Sequence, residues 1–458
     1  MAEPQGRPHP PYSLTTAPIG ETLTRMTIPT VFGIVAILMF NLVDTYFIGL
    51  IGAKELAAVS FTFPISFVVM NISMGIGIGT AATLSAKIGA GKHAEAKTIN
   101  THAVMLSVIF AIPIAALGIA TIEPLFKLLG AQADTIDLIK EYMSIWYAGI
   151  PLLYLPMIGN AAIRATGDTK TPSIIMAIAG LANGILDPLL IFGLGPFPEL
   201  GIQGAGIASV ASWFFASCAV LWVLGKKNHL LGKAVVSHPV LASWIPILKL
   251  GMPAGATNFL PPLGAAFLIR LMAEFGEPAV AGYGVGTRIE SIALVVIMAL
   301  SSSITPFVGQ NFGAKHYHRI RDGLKTALYF TVACELAITL ILLVTAPWLA
   351  GVFNDDPEVI SAITLFLWCL PISYGCHGIV MLICATLNAL HKPLYGTAIT
   401  LTRLFLLTLP LAFAGGYLHG LVGVFVGMAI ANIIAGITVL VWFSRRFQTL
   451  TGQTQALN

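Results

Sequence analysis

Twelve separate apolar runs dominate this chain, each close to the about 20 residues that an α-helix needs to cross a bilayer. They can be drawn at residues 26–50, 57–83, 102–121, 140–163, 171–192, 202–224, 247–273, 279–308, 326–349, 360–386, 394–415 and 421–443. None alternates with the two-residue period of a barrel strand. The spanning elements are therefore helices, which satisfy their own backbone groups in hydrocarbon. Only 10% of the 458 residues are charged, against 57% hydrophobic, where a soluble domain carries roughly 25% charged residues. With a mean hydropathy of +0.87, too little polar side chain exists to coat a water-soluble body. The fold class is an all-α membrane protein, with the lipid bilayer as its solvent and no nucleic acid as partner.

The placement of basic residues orients the helices. With the N-terminus inside, eighteen Lys and Arg side chains fall on the inner side, from Arg7 to Arg446, and only Lys54, Lys127 and Lys140 on the outer. Under the positive-inside rule this bias puts both termini in the cytoplasm of a multi-pass protein of the cell (inner or plasma) membrane. Residues 1–23 are polar and proline-rich, with no short apolar region ending in a cleavage site, and are expected to be a disordered tail. Residues 447–458 form the expected second tail.

The longest basic connection, about residues 226–246, separates an N-lobe of six helices (24–225) from a C-lobe of six (247–446). Residues 29–90 lie on 253–314 at a constant shift of 224, so that Pro29 meets Pro253, Gly52 meets Gly276 and Gly89-Ala90 meets Gly313-Ala314. Seven of those 62 positions are identical, so the weight rests on punctuation and on basic inner loops falling in step. Pro151 likewise meets Pro371. Six is an even number, so both copies enter the membrane in the same direction. Two pseudo-symmetric six-helix bundles of this kind suit alternating access.

Ionisable groups inside spans are costly and mark function by default. Asp44 lies six residues before Leu50, and Asp187 five before Phe192. Both therefore sit about 8–9 Å below the outer ends of their outward-running helices. Asn183 precedes Asp187 by one turn on the same face, and Pro188 leaves the Gly184 carbonyl without its helical donor. Ser209 would reach a similar level on the next helix. Two carboxylates, an amide and a free carbonyl suit a proton or a small hard cation, with Na+ at Asp44, Asn183 and Asp187 the metal alternative. The C-lobe lacks this set, because Leu268 stands where the repeat would put Asp44. There Arg270 and Glu274 are spaced for a local ion pair, and Glu335 and Arg403 share a depth that suggests a buried pair. Arg288 and Glu290 either line a cavity or brace it.

No phosphate-binding loop for ATP is present, since Gly91-Lys92 is followed by His93. The five cysteines all lie in apolar stretches and read as packing residues. A lipid-modifying enzyme would need a His, Asp or Cys cluster at a membrane face, which the sequence lacks.

The stretches FNLVDTYFIGLIGAKELAAVS (40–60), RATGDTKTP (164–172), GYGVGTRIES (282–291) and PFVGQNFGA (306–314) resemble the multidrug and toxic compound extrusion (MATE) family. The likeness runs from about Glu21 to Arg446. It implies twelve helices in two lobes and the export of amphipathic or organic cationic compounds in exchange for protons or sodium. No cofactor beyond that coupling ion is implied, and the chain is expected to act as a monomer. Carried over residue by residue, the family's N-lobe site matches Asp44, Asn183, Asp187 and Asn160, with Ser209 where a threonine often stands and Tyr142 as an aromatic of the same pocket. Tyr142, Arg288 and Glu290 are the candidate lining of the substrate cavity. Some NorM-like members carry a functional glutamate early in the seventh helix. Here that stretch reads TNFLPPLGAAF, with Pro261 near the position, which is closer to the DinF-like type. The function expected is secondary active multidrug export, and the alternative is a lipid-precursor flippase of the same superfamily.

Overall fold

The computed structural model describes residues 13–232 and 239–453, apart from the side chain of Asn41. Among them every regular element is helical. The order is α1 (Ile19–Ile51), α2 (Ala53–Gly89), α3 (His93–Leu128), α4 (Ala133–Ala148), α5 (Ile150–Ala165), α6 (Lys170–Ile191), α7 (Ile202–Trp222), α8 (Val240–Thr257), α9 (Leu260–Ala273), α10 (Glu277–Ala293), α11 (Val295–Gly313), α12 (Tyr317–Phe353), α13 (Pro357–Cys369), α14 (Tyr374–Ala389), α15 (Pro393–Leu401) and α16 (Leu409–Leu450).

Ten helices, single or in continuous series, are long and apolar enough to cross a membrane. The last of them, Pro393–Leu450, breaks at His419 (φ −136°) and Gly420 (φ 61°) and supplies two crossings. The pair α4 and α5, interrupted at Gly149, supplies one more. The chain is thus a twelve-crossing bundle. Several crossings expected as single helices are broken in two. The break before α9 sits just ahead of Pro261 and Pro262, which fit the first turn of a helix but not its interior. A π turn at Thr402–Thr408 joins α15 to α16.

The contacts divide the chain into Ile28–Gly255 and a second unit, made of Ala256–Asn458 with the described part of Met1–Thr27. All of α8 but its last two residues thus lies in the first unit. It crosses α2 on glycines: a Cβ at Gly75 would stand 2.6 Å from the Gly251 carbonyl oxygen, and one at Gly251 2.5 Å from that of Gly75. Small residues let the two backbones touch, which is how membrane helices gain dispersion contact without a hydrophobic driving force. Residues 13–23 are not the disordered tail expected from their composition. Leu14 is buried, and its carbonyl accepts from Asn311 Nδ2 (3.1 Å), while that of Ala17 accepts from Arg319 (2.7 Å).

The duplication is visible in backbone conformation. At the end of α2 the Lys92 N–H donates to the Lys87 carbonyl (3.0 Å), and at the end of α11 the His316 N–H donates to that of Asn311 (2.8 Å). Both pairs are separated by the same shift of 224. Each turn places its pivot in the left-handed region, Gly91 at φ 73° and Lys315 at φ 61°.

The burial pattern inverts that of a soluble protein. On α12 the stripe Thr331, Glu335, Thr339 is buried, whereas Tyr329, Leu336, Leu340, Val344 and Trp348 are exposed. Apolar side chains meet lipid, and the polar stripe faces protein.

Candidate functional site

Four helices of the first unit build the site. Glycines let α1 lie close beside α6: a Cβ at Gly180 would touch Phe40 Cβ at 3.4 Å, and one at Gly184 would touch Val43 Cγ1 at 3.5 Å. Contact partners advance together along both helices, so the two run parallel. Asp44 follows Val43 directly and Asp187 lies one turn beyond Gly184, which brings the two carboxylates to one level.

The helix α7 packs antiparallel to α6. Its first turn abuts the carboxyl end of α6, where a Cβ at Gly204 would stand 2.5 Å from the Leu190 carbonyl oxygen. That register carries Ser209 to Asn183. The Asn183 amide is satisfied in one orientation: its nitrogen donates to Asp187 Oδ2 (2.8 Å) and its oxygen accepts from the Ser209 backbone N–H (3.2 Å). The helix α4 completes the wall. The Tyr142 carbonyl oxygen lies 3.5 Å from a Cβ placed on Gly206, and the Tyr142 side chain is close enough to both carboxylates to sense their charge.

Asn183 and Asp187 are wholly buried, Ser209 and Tyr142 nearly so, and Asp44 half-buried. One oxygen of each acid, Asp44 Oδ1 and Asp187 Oδ1, is buried without a protein partner. Two unpartnered carboxylate oxygens in a dry interior form a place where a proton or a small cation would be stabilised.

Asn160 stands apart. It lies near the inner end of α5, 2% exposed, and both ends of its amide lack a partner. No hydrogen bond joins it to the Asp44 group. Arg288 is exposed and Glu290 half-buried, two residues apart on opposite faces of α10. The Glu290 carboxylate lies 3.8 Å from His377 Nδ1.

Two expected ion pairs do not form. Arg403 donates to Asn432 Oδ1 (2.9 Å), and Asn432 in turn donates to Ser373 Oγ (3.1 Å), so Glu335 is left without Arg403. Arg270 and Glu274, which caps the end of α9, form no ion pair among the described residues. Asn432 and Tyr374 were missed in the sequence. The available signals were an amide within the twelfth apolar run and a tyrosine three residues past the repeated proline.

A duplicated twelve-crossing bundle with an orphaned acid pair in one half is the architecture of a membrane transporter. The chain belongs to the MatE family, whose profile matches residues 29–189 and 253–414. A protein of Shewanella oneidensis named "FAD transporter" is 42% identical over 93% of this chain and 94% of its own length. The "Probable multidrug resistance protein NorM" of Thermotoga maritima is 25% identical over 93% of this chain and 92% of its own. Among solved structures, the Vibrio cholerae MATE transporter VcmN in the bent form superimposes with a TM-score of 0.91 at 33% identity, covering 94% of this chain and 98% of that one.

Proposed function

We propose that this chain is a secondary exporter of the plasma membrane that exchanges a small amphipathic molecule for protons through Asp44 and Asp187. The observation that carries the reading is the pair of unpartnered carboxylate oxygens, one on α1 and one on α6, at a single level of the first unit. Protonation removes a charge from a dry site and so changes how α1 packs on α6, which gives an ion gradient a handle on conformation. A proton is favoured over Na+ because the Asn183 amide turns its nitrogen, not its oxygen, toward Asp187.

The identity of 42% to a protein named "FAD transporter" favours flavin adenine dinucleotide as the exported molecule. That compound is amphipathic, with a flat ring system at one end and a charged pyrophosphate in the middle. A second reading, export of amphipathic or cationic drugs, is favoured by the names of the relatives that are 24–25% identical. In both readings the protein works as a monomer with cytoplasmic termini, and the N-lobe coupling is of the DinF-like type.

Proteoliposomes loaded with FAD, and separately with a cationic dye, test this under a pH gradient alone and then a sodium gradient alone. FAD movement driven by pH, and its loss in Asp44→Asn, is the expected result. No gradient-driven movement of either compound sinks the antiport reading, and normal transport by Asp44→Asn removes Asp44 from it.

A further inference from the structure

The second unit contains a buried carboxylate that the repeat did not lead one to expect. Glu335, in the middle of α12, is fully buried, and neither carboxylate oxygen has a partner. Two hydroxyls in the same state flank it. Thr331, one turn earlier, is fully buried with Oγ1 unpartnered, and so is Tyr374 with its phenolic oxygen.

Packing brings the three together. A Cβ at Gly378 would strike Thr331 Cγ2 (2.5 Å), and Thr339 Oγ1 donates to the Pro371 carbonyl (2.7 Å). The helix α12 therefore runs antiparallel to α14, and Glu335 falls between these two contacts, level with Tyr374. Tyr374 lies within electrostatic range of Glu335.

The first unit shows what this scaffold position does when it is only structural. Tyr154 stands three residues past Pro151, as Tyr374 does past Pro371, and its hydroxyl donates to the Val69 carbonyl at 2.8 Å. Tyr374 has no such acceptor and instead faces a carboxylate.

We infer that Glu335, Tyr374 and Thr331 form a second proton-binding site, held entirely within the second unit. Uptake adds one proton to a Glu335 oxygen. The neutral acid can then donate to one hydroxyl oxygen while its other oxygen accepts from the second hydroxyl, and no covalent bond is broken. The other titratable groups within electrostatic range of it are Glu290 on α10 and Cys334 beside it on α12; the neighbouring elements also carry His377 and Cys376 on α14 and Cys369 at the end of α13. The helix α11 contributes none. The carboxylate beside His377 is that of Glu290, at 3.8 Å, and Arg403 donates to Asn432, so neither is paired with Glu335. Proton uptake removes the charge that no basic side chain among the described residues balances. The site uses neither the acid pair of the first unit nor any substrate.

The test is infrared difference spectroscopy of the purified full-length protein between alkaline and acidic buffer, read in the carbonyl-stretch region of un-ionised carboxylic acids. Wild type should show bands for buried acids. Glu335→Gln should delete one of them and keep the band that Asp44→Asn deletes, and Tyr374→Phe should shift the Glu335 band by removing its hydrogen bond. Persistence of every wild-type band in Glu335→Gln overturns the inference. So does loss of the Glu335 band on adding NaCl at constant pH, which would make the site a sodium site. If Glu335→Gln aggregates, the band shift in Tyr374→Phe decides, and an unshifted spectrum overturns the inference. Because transport is not the readout, the result is independent of whether FAD moves under a pH gradient.

Discussion

Asn183 and Asp187, one helical turn apart on α6, are joined by a hydrogen bond of 2.8 Å from the amide nitrogen to Oδ2. The same amide takes the Ser209 backbone N–H, so a single side chain fixes one acid of the site and locks α7 onto α6. Asn183→Leu keeps the branched shape and removes both bonds. It should lower stability by about 1–3 kcal/mol, the cost of leaving buried polar groups unsatisfied. Thermal unfolding in detergent measures this, and Asn183→Leu with Asp187→Leu should be non-additive by about 0.5–3 kcal/mol. Additive losses would mean that the two side chains do not interact.

The close approach of α1 to α6 depends on Gly180 and Gly184. A Cβ at Gly180 meets Phe40 Cβ at 3.4 Å, an ordinary van der Waals contact that needs no movement of α1. Gly180→Ala should therefore retain transport. Gly180→Leu pushes α1 outward by the width of a side chain, at about 1–3 kcal/mol of overpacking. It should abolish gradient-driven export while the protein still reaches the membrane, and a Gly180→Leu protein with normal export would remove the α1–α6 contact from the mechanism.

The membrane class, the twelve crossings and the duplication were legible because hydrocarbon imposes a length and a polarity that any apolar run must meet. The broken helices were not, since a break at Gly149 or before Pro261 costs little hydropathy and leaves the run intact. Asp44, Asn183, Asp187 and Ser209 could be brought to one level by counting rise along helices. The direction of the Asn183 amide could not, because it is set by Ser209 on another helix. Depth alone also paired Glu335 with Arg403; the structure gives Arg403 the amide of Asn432, on another crossing, as its acceptor. Residues 13–23 read as a tail by composition, but Asn311 and Arg319 supply donors to its carbonyls.

The repeated inner turns differ at their pivot. Gly91 occupies φ 73° without strain, whereas Lys315 at φ 61° places a Cβ against the following carbonyl. Lys315→Gly should stabilise by up to about 1 kcal/mol, and Gly91→Ala should destabilise by about 1 kcal/mol. Thermal melts of both variants check this. Equal shifts of one sign would show that the turns are not equivalent.

At the inner corner, Asp168 ties the loop before α6 to the end of the sixth crossing. Its Oδ2 accepts from Lys227 Nζ (2.8 Å) and from the Thr171 hydroxyl (2.6 Å), and its Oδ1 accepts from the Thr171 N–H (2.9 Å). Burial pushes this carboxyl up, but the bonds from Lys227 and Thr171 outweigh it and hold the group below its ordinary value. A carboxyl depressed in the folded state stabilises the fold above its unfolded value, and that stability is lost as pH falls through the folded value. Lys227 is half exposed, so water screens much of its attraction. Asp168→Asn should cost about 1 kcal/mol at neutral pH, through the bonds lost at the Oδ2 position from the Thr171 hydroxyl and Lys227, since the Asn oxygen can still accept the Thr171 N–H. The difference from wild type should shrink toward zero as the buffer becomes acidic enough to protonate Asp168. Melting temperatures of both proteins across an acidic pH series measure it. A difference that stays constant to the lowest pH would mean that the charge of Asp168 does not hold this corner.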